Sequence, residues 1–173
     1  ASGVEIEIQY AATDSLNLFA TIGTIDSSFD KVKSYDEQGN KIDISDSFTI
    51  SNTPNTTMNL GFSYDFDSQF GSFVFNGNYY YRSSYDLTVT DNLLTQEGYG
   101  LANLGLTWYS DNDNWQASLQ WKNISDKEYL VGNYAFVTPT DDGNYLPGLG
   151  GDTTLIGYYG DPETVSLSVS YNF

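Results

Sequence analysis

From Thr164 to Phe173 the chain alternates without a break. Val165, Leu167, Val169, Tyr171 and Phe173 are interleaved with Thr164, Ser166, Ser168, Ser170 and Asn172. A period of two sends every large apolar group to one face of a strand and every small polar group to the other. Six earlier segments repeat the pattern. Val4, Ile6, Ile8 and Tyr10 oppose Glu5, Glu7 and Gln9, and Leu16, Leu18, Ala20 and Ile22 follow after a turn. Met58, Leu60, Phe62, Tyr64 and Phe66 oppose Thr57, Asn59, Gly61, Ser63 and Asp65. Phe73, Phe75, Tyr79 and Tyr81 oppose Asn76, Asn78 and Arg82. Ala102, Leu104, Leu106 and Trp108 oppose Asn103, Gly105 and Thr107, and Trp115, Ala117, Leu119 and Trp121 oppose Gln116, Ser118, Gln120 and Lys122. Seven two-faced strands predict an all-β, antiparallel sheet.

Composition separates the classes such a sheet serves. Aromatic residues make up 16% of the 173 residues, with 15 Tyr, 10 Phe and 3 Trp. The mean hydropathy is nonetheless −0.38. Oily and wet side chains in equal measure suit strands that face hydrocarbon on one side and water on the other. A net charge of −17 raises the possibility of acidic disorder, but such segments are poor in aromatics. Six Lys and Arg against 23 Asp and Glu exclude a nucleic-acid partner held by phosphate contacts. Without Cys there are no disulfides and no thiolate metal sites. No apolar run is long enough for a membrane-spanning helix, so a membrane assignment rests on strands.

The connections alternate too. Ala11–Ser15, Asp67–Phe70 and Ser110–Asn114 are short and polar, whereas Asp26–Pro54, Asp86–Glu97 and Ser125–Asp161 are long. Short turns at one rim and long loops at the other are the arrangement of an outer-membrane barrel, with the long loops outside the cell. The first, third, fifth and seventh strands then run toward the periplasm. Seven is an odd number, whereas single-chain bacterial barrels have even counts. Open edges in lipid cost several kcal/mol per unpaired backbone group. The expectation is therefore an open sheet belonging to a larger barrel, with its first and last strands unpaired to each other.

Several segments resemble TonB-dependent outer-membrane receptors in their order and spacing. Ser2-Gly3-Val4-Glu5-Ile6-Glu7 is similar to the family's strand-opening G-x-E-x-E, and Ile50-Ser51-Asn52-Thr53-Pro54 to its x-N-x-P segment. Tyr79-Tyr80-Tyr81-Arg82-Ser83-Ser84-Tyr85 resembles its Y-R-S-x-Y stretch. Trp121-Lys122-Asn123-Ile124-Ser125-Asp126-Lys127-Glu128-Tyr129, the most specific piece, resembles x-x-N-L-x-D-x-x-Y. Tyr159-Gly160-Asp161-Pro162-Glu163-Thr164 resembles the approach to the last strand, with Glu163 where the family usually carries Arg. The resemblance implies that residues 1–173 form the C-terminal part of a barrel of about 22 strands around a plug. It also implies energy-coupled nutrient uptake, with siderophore, carbohydrate or cofactor as cargo. The implied partners are outer-membrane lipid, the remaining barrel and plug, the TonB coupling complex reached through the N-terminal region, and the barrel-assembly machinery. Phe173 resembles the terminal aromatic that the assembly machinery reads.

Catalytic chemistry finds little support. There is no His, the commonest general base and metal ligand. Glu5 and Glu7 share a face as wall acids of a barrel do. Gly148-Leu149-Gly150-Gly151 lacks the Lys and the strand–helix setting of a phosphate loop. No cofactor and no enzyme activity are expected. Tyr81, Trp108, Tyr109, Trp115 and Phe173, near strand ends, are candidates for interfacial girdles. Tyr134, Phe136, Tyr145, Tyr158 and Tyr159 are ligand-stacking candidates in the last long loop, where packing of the loop is the plainer role. Asp141, Asp142 and Asn144 supply oxygens suited to calcium, without EF-hand spacing. Two rival readings remain open: a self-associating barrel fragment, and a secreted carbohydrate-binding β-sandwich with both sheets turned to a shared core.

Overall fold

The computed structural model describes residues 1–89, 93–112, 114–139, 145–148 and 155–173. Seven long strands appear where the alternation places them: β1 (Ser2–Ala11), β2 (Leu16–Asp26), β3 (Thr56–Ser68), β4 (Gly71–Arg82), β5 (Tyr99–Tyr109), β6 (Trp115–Lys122) and β7 (Thr164–Tyr171). They form one antiparallel sheet in sequence order. β1 and β7 are its two edges, so the sheet does not close on itself among the described residues.

The register keeps the two phases apart across the whole sheet. One row runs Ile6, Ile22, Met58, Tyr81, Gly100, and another runs Leu18, Phe62, Gly77, Leu104, Trp121, Val165. The opposite face carries Glu7, Thr21, Asn59, Tyr80, Leu101 and, lower down, Asn17, Ser63, Asn76, Gly105, Gln120, Ser166. A one-residue slip anywhere would mix the faces, which is why the pattern fixes the register.

The apolar face is bare. Val4 is 63% exposed, Val165 62% and Leu167 71%, while the buried apolar core of the described residues consists of Tyr85, Leu87 and Tyr99 alone. A sandwich would bury these side chains against a second sheet. The reading as a secreted β-sandwich is thereby overturned: the described residues form one large sheet, and none of them makes a second sheet over its apolar side.

The short turns satisfy their own backbone. Thr13 Oγ1 accepts from the N–H groups of Ser15 (3.2 Å) and Leu16 (3.0 Å). Ser68 Oγ accepts from Phe70 N at 3.0 Å, and Ser110 Oγ accepts from Trp115 N at 3.0 Å. Gly71 follows its turn with φ +116°, a conformation that L side chains rarely adopt. The long connections, by contrast, have structure that the sequence did not announce. Lys33–Tyr35 pairs with Lys41–Asp43, Tyr85–Asp86 with Thr95–Gln96, Leu130–Ala135 with Leu155–Tyr159, and Val137–Pro139 with Tyr145–Pro147.

Candidate functional site

Amide side chains cross the polar face as a ladder. Asn78 Nδ2 donates to Asn59 Oδ1 at 3.1 Å, and Asn103 Nδ2 donates to Asn78 Oδ1 at 3.2 Å. Asn123 N then donates to Asn103 Oδ1 at 2.9 Å. Beside the ladder, Thr107 and Ser118 share a hydroxyl hydrogen bond of 3.1 Å, and Gln120 Nε2 donates to Ser118 Oγ at 3.1 Å. A wall built this way presents neutral donors and acceptors to whatever fills the space in front of it. Glu5 and Glu7 lie at its β1 edge, where Glu7 accepts from Gln9 Nε2 at 3.2 Å.

At the long-loop rim the three long connections are tied into one body. Thr49 N donates to Val89 O (3.0 Å) and Asn52 N to Asp86 O (2.8 Å), joining the first to the second. Leu130 N donates to Gln96 Oε1 at 2.7 Å, Tyr85 OH donates to Leu130 O at 3.2 Å, and Asn133 Nδ2 donates to Leu87 O, joining the second to the third. Tyr85, Leu87 and Tyr99 form the apolar heart, with Leu94, Leu101, Tyr129 and Leu130 around it. Tyr99 stacks on Tyr129 with ring centres 4.6 Å apart. The Arg82 guanidinium carbon stands 4.4 Å over the Tyr85 ring. Burial, helped by the neighbouring Tyr99, pushes the Tyr85 hydroxyl up to about 12.

The first long loop uses its acids locally. Asp36 accepts from Asn40 Nδ2 (3.0 Å) and from the N–H groups of Asn40 (2.7 Å) and Gln38 (3.0 Å). Asp43 accepts from Ser45 N (3.1 Å) and Val32 N (3.2 Å). These bonds hold both carboxyls below their ordinary 3.8, the side-chain bond of Asn40 leading for Asp36 and the backbone of Ser45 for Asp43. Depressed folded values place this contribution above pH 3.8 and remove it as the pH falls through the lower folded values. Amide protection at Asn40 and Ser45 in the complete receptor is therefore expected to persist from neutrality down to that range and then fall. Protection that vanished well above it would contradict the assignment.

The aromatic candidates divide into separate groups. Trp108 and Trp115 sit at the short-turn rim, where Trp108 Nε1 donates to Phe70 O at 2.6 Å and Trp115 packs on Tyr171, ring centres 4.7 Å apart. Phe173 meets Tyr171 edge-on at 5.0 Å. Tyr81 lies at the long-loop rim on the same face. Tyr109 does not join them: it pairs with Gln116 and Ser72, on the polar face. In the last loop, Tyr134 stacks on Phe136 (6.0 Å) and meets Tyr158 edge-on (5.9 Å). All three are exposed, as is Tyr159, which pairs with Leu130 on the ribbon's other phase. Of Tyr145 only the backbone pairing with Pro139 is described. The calcium candidates Asp141, Asp142 and Asn144 lie outside the described residues. Asn123 is the residue the sequence reading passed over; its signal was its place in the Trp121–Tyr129 motif.

Comparison with known proteins agrees with this architecture. The structure superposes on the ferric yersiniabactin uptake receptor FyuA from Yersinia pestis with a TM-score of 0.72 and 16% identity, covering 99% of this chain and 23% of that one. It superposes on BauA, the ferric preacinetobactin receptor from Acinetobacter baumannii, with a TM-score of 0.66 and 21% identity, covering 99% and 22%. At such identities the likeness concerns the fold, and the chain spans less than a quarter of either receptor. No curated protein sequence matches. The family model described as TonB dependent receptor-like, beta-barrel, matches residues 1–124. These relatives are transport receptors of the outer membrane rather than enzymes, and the chain belongs to the TonB-dependent receptor family through its β-barrel.

Proposed function

We propose that the chain is the C-terminal wall and part of the cell-surface mouth of a receptor for energy-coupled uptake of a scarce nutrient. The observation that carries this reading is the single sheet with a bare apolar face and an amide-lined polar face, in a chain of this family. The apolar face meets outer-membrane lipid, and the polar face lines the lumen against the plug. Trp108, Trp115 and Phe173 form one interfacial girdle and Tyr81 part of the other. Phe173 serves the barrel-assembly machinery as a terminal signal. Coupling to the TonB complex belongs to the N-terminal region of the whole receptor. The exposed Tyr134, Phe136 and Tyr158 group gives an arriving ligand a stacking surface. The test is uptake of labelled siderophores, sugars and cofactors by cells with and without the complete gene. Accumulation that depends on both the gene and the proton-motive force is expected; accumulation unchanged by deleting the gene would refute the reading.

The charge of the mouth narrows the cargo. Asp26–Ser47 carries six acids against three Lys, and Ser125–Glu163 seven against Lys127 alone. Such a field repels anions and draws cations at low ionic strength. A neutral or cationic ligand is expected, with an anionic chelate binding more weakly as salt is lowered. Tight capture of a polyanionic chelate with little salt dependence would count against this.

A further inference from the structure

The apolar face is not uniformly filled. Its phase in β4 reads Phe73, Phe75, Gly77, Tyr79, Tyr81, a row of aromatics with a gap at Gly77. Phe62 and Leu104, the register partners of Gly77, lean over it: a Cβ there would stand 2.7 Å from Leu104 Cδ2 and 2.8 Å from Phe62 Cε1. Tyr79 leans the other way, toward the long-loop rim, with its hydroxyl over Gly100. Between these diverging side chains the small Ala102, register partner of Tyr79, leaves the sheet low. The result is a groove of about 420 Å³, walled mainly by Leu60, Phe62, Tyr79 and Leu104 and reaching Ile124 near the rim.

We infer that this groove seats one acyl chain of an outer-leaflet lipid. The inference rests on the reading that the apolar face meets the bilayer. The groove is continuous with that face and lies in its half nearer the long loops, the half that spans the outer leaflet in this family's orientation. Within hydrocarbon no hydrophobic force distinguishes one apolar surface from another, so shape decides. Over the flat parts of the face a lipid chain touches side-chain tips and exchanges freely. A dent left unfilled forfeits dispersion contacts on all of its walls, and a chain laid along it recovers them. Recognition lies in the chain and not in the headgroup, since the rim is acidic and offers an anionic headgroup little attraction.

The experiment uses the complete receptor, purified in mild detergent, with retained lipid counted by native mass spectrometry. Ala102→Phe and Ala102→Leu fill the groove from its floor, and Leu167→Phe alters the same face away from it. Both fillers should release one lipid that the wild type holds, on the order of tenfold faster, equivalent to about 1.4 kcal/mol, while Leu167→Phe leaves retention unchanged. Heat-modifiable migration on gels checks that each variant is folded, and the smaller Leu serves if Phe disturbs assembly. Retention by both folded fillers equal to wild type would overturn the inference. Orientation of the face is tested separately by charges at Leu167 and Ser168, so the groove can fail while the membrane reading stands.

Discussion

Leu167→Arg in the complete barrel is expected to lower folding stability by about 2–4 kcal/mol, and Ser168→Arg by far less. The two residues are neighbours in β7, and their partners in β6 are Leu119 and Ser118, so they differ chiefly in the face they occupy. Leu167 is 71% exposed. In a water-soluble protein an apolar side chain so exposed accepts Arg within about 0.5 kcal/mol, because nothing around it is desolvated. A large penalty at an exposed position therefore reports lipid, and its size discriminates between the two environments. Leu167 is near the middle of its strand, far from either rim, where a long side chain has least opportunity to reach headgroup water. Denaturant titration of the two variants in vesicles gives the comparison. Equal losses at both positions would end the assignment of lipid and lumen faces.

A two-faced sheet repeats one simple rule along its length, and the apolar residues on its polar face, such as Phe19, Val74, Tyr80 and Leu101, are too scattered to hide it, so the strands were legible. The open sheet followed from counting them. The loops obey no such rule. Asp86–Glu97 reads as a polar connection, yet its flanks supply Tyr85 and Tyr99 and its interior supplies Leu87, all buried. Their partners Tyr129 and Leu130 come from a different connection, so no local pattern links them. The ribbon of Leu130–Ala135 with Leu155–Tyr159 joins residues about 20 or more apart around a bulge, beyond the reach of turn chemistry. The Lys33–Asp43 hairpin was more accessible, since Asp36, Gly39 and Asn40 are turn residues for physical reasons: Asp36 bonds the backbone ahead of it and Gly39 takes φ +81°. Tyr109 shows how strictly the phase rule holds. Placed directly after Trp108, it must face the other way, and grouping the pair as one girdle overlooked that.

The second large effect is expected at Asn123. It sits just past β6 with φ +49°, in the left-handed region, and is only 4% exposed. Its side chain is fully used: Oδ1 accepts from Lys127 N at 2.9 Å, and Nδ2 donates to Lys127 O at 3.0 Å and Asp161 O at 3.1 Å. One residue thus clamps the start of the last long connection to its end, directly above the amide ladder it joins through Asn103. Asn123→Leu keeps the branched shape and removes three part-buried hydrogen bonds, to Lys127 N, Lys127 O and Asp161 O, about 0.5–1.5 kcal/mol for each bond lost. The left-handed backbone adds about 1 kcal/mol or more for a residue unable to bond locally. A loss on the order of 3 kcal/mol is expected, confined to the loop base, because the strand ladder of β6 with β7 is untouched. Asn123→Gly relieves the dihedral while losing the bonds, and Asn123→Asp keeps the acceptor for Lys127 N. The series should therefore rank Leu as most damaging, with Gly and Asp between it and the wild type. Protease sensitivity of the connection after Ser125 and amide exchange at Lys127 in the folded receptor read the effect. Wild-type protection in Asn123→Leu would show that the clamp is not what holds the loop to the barrel.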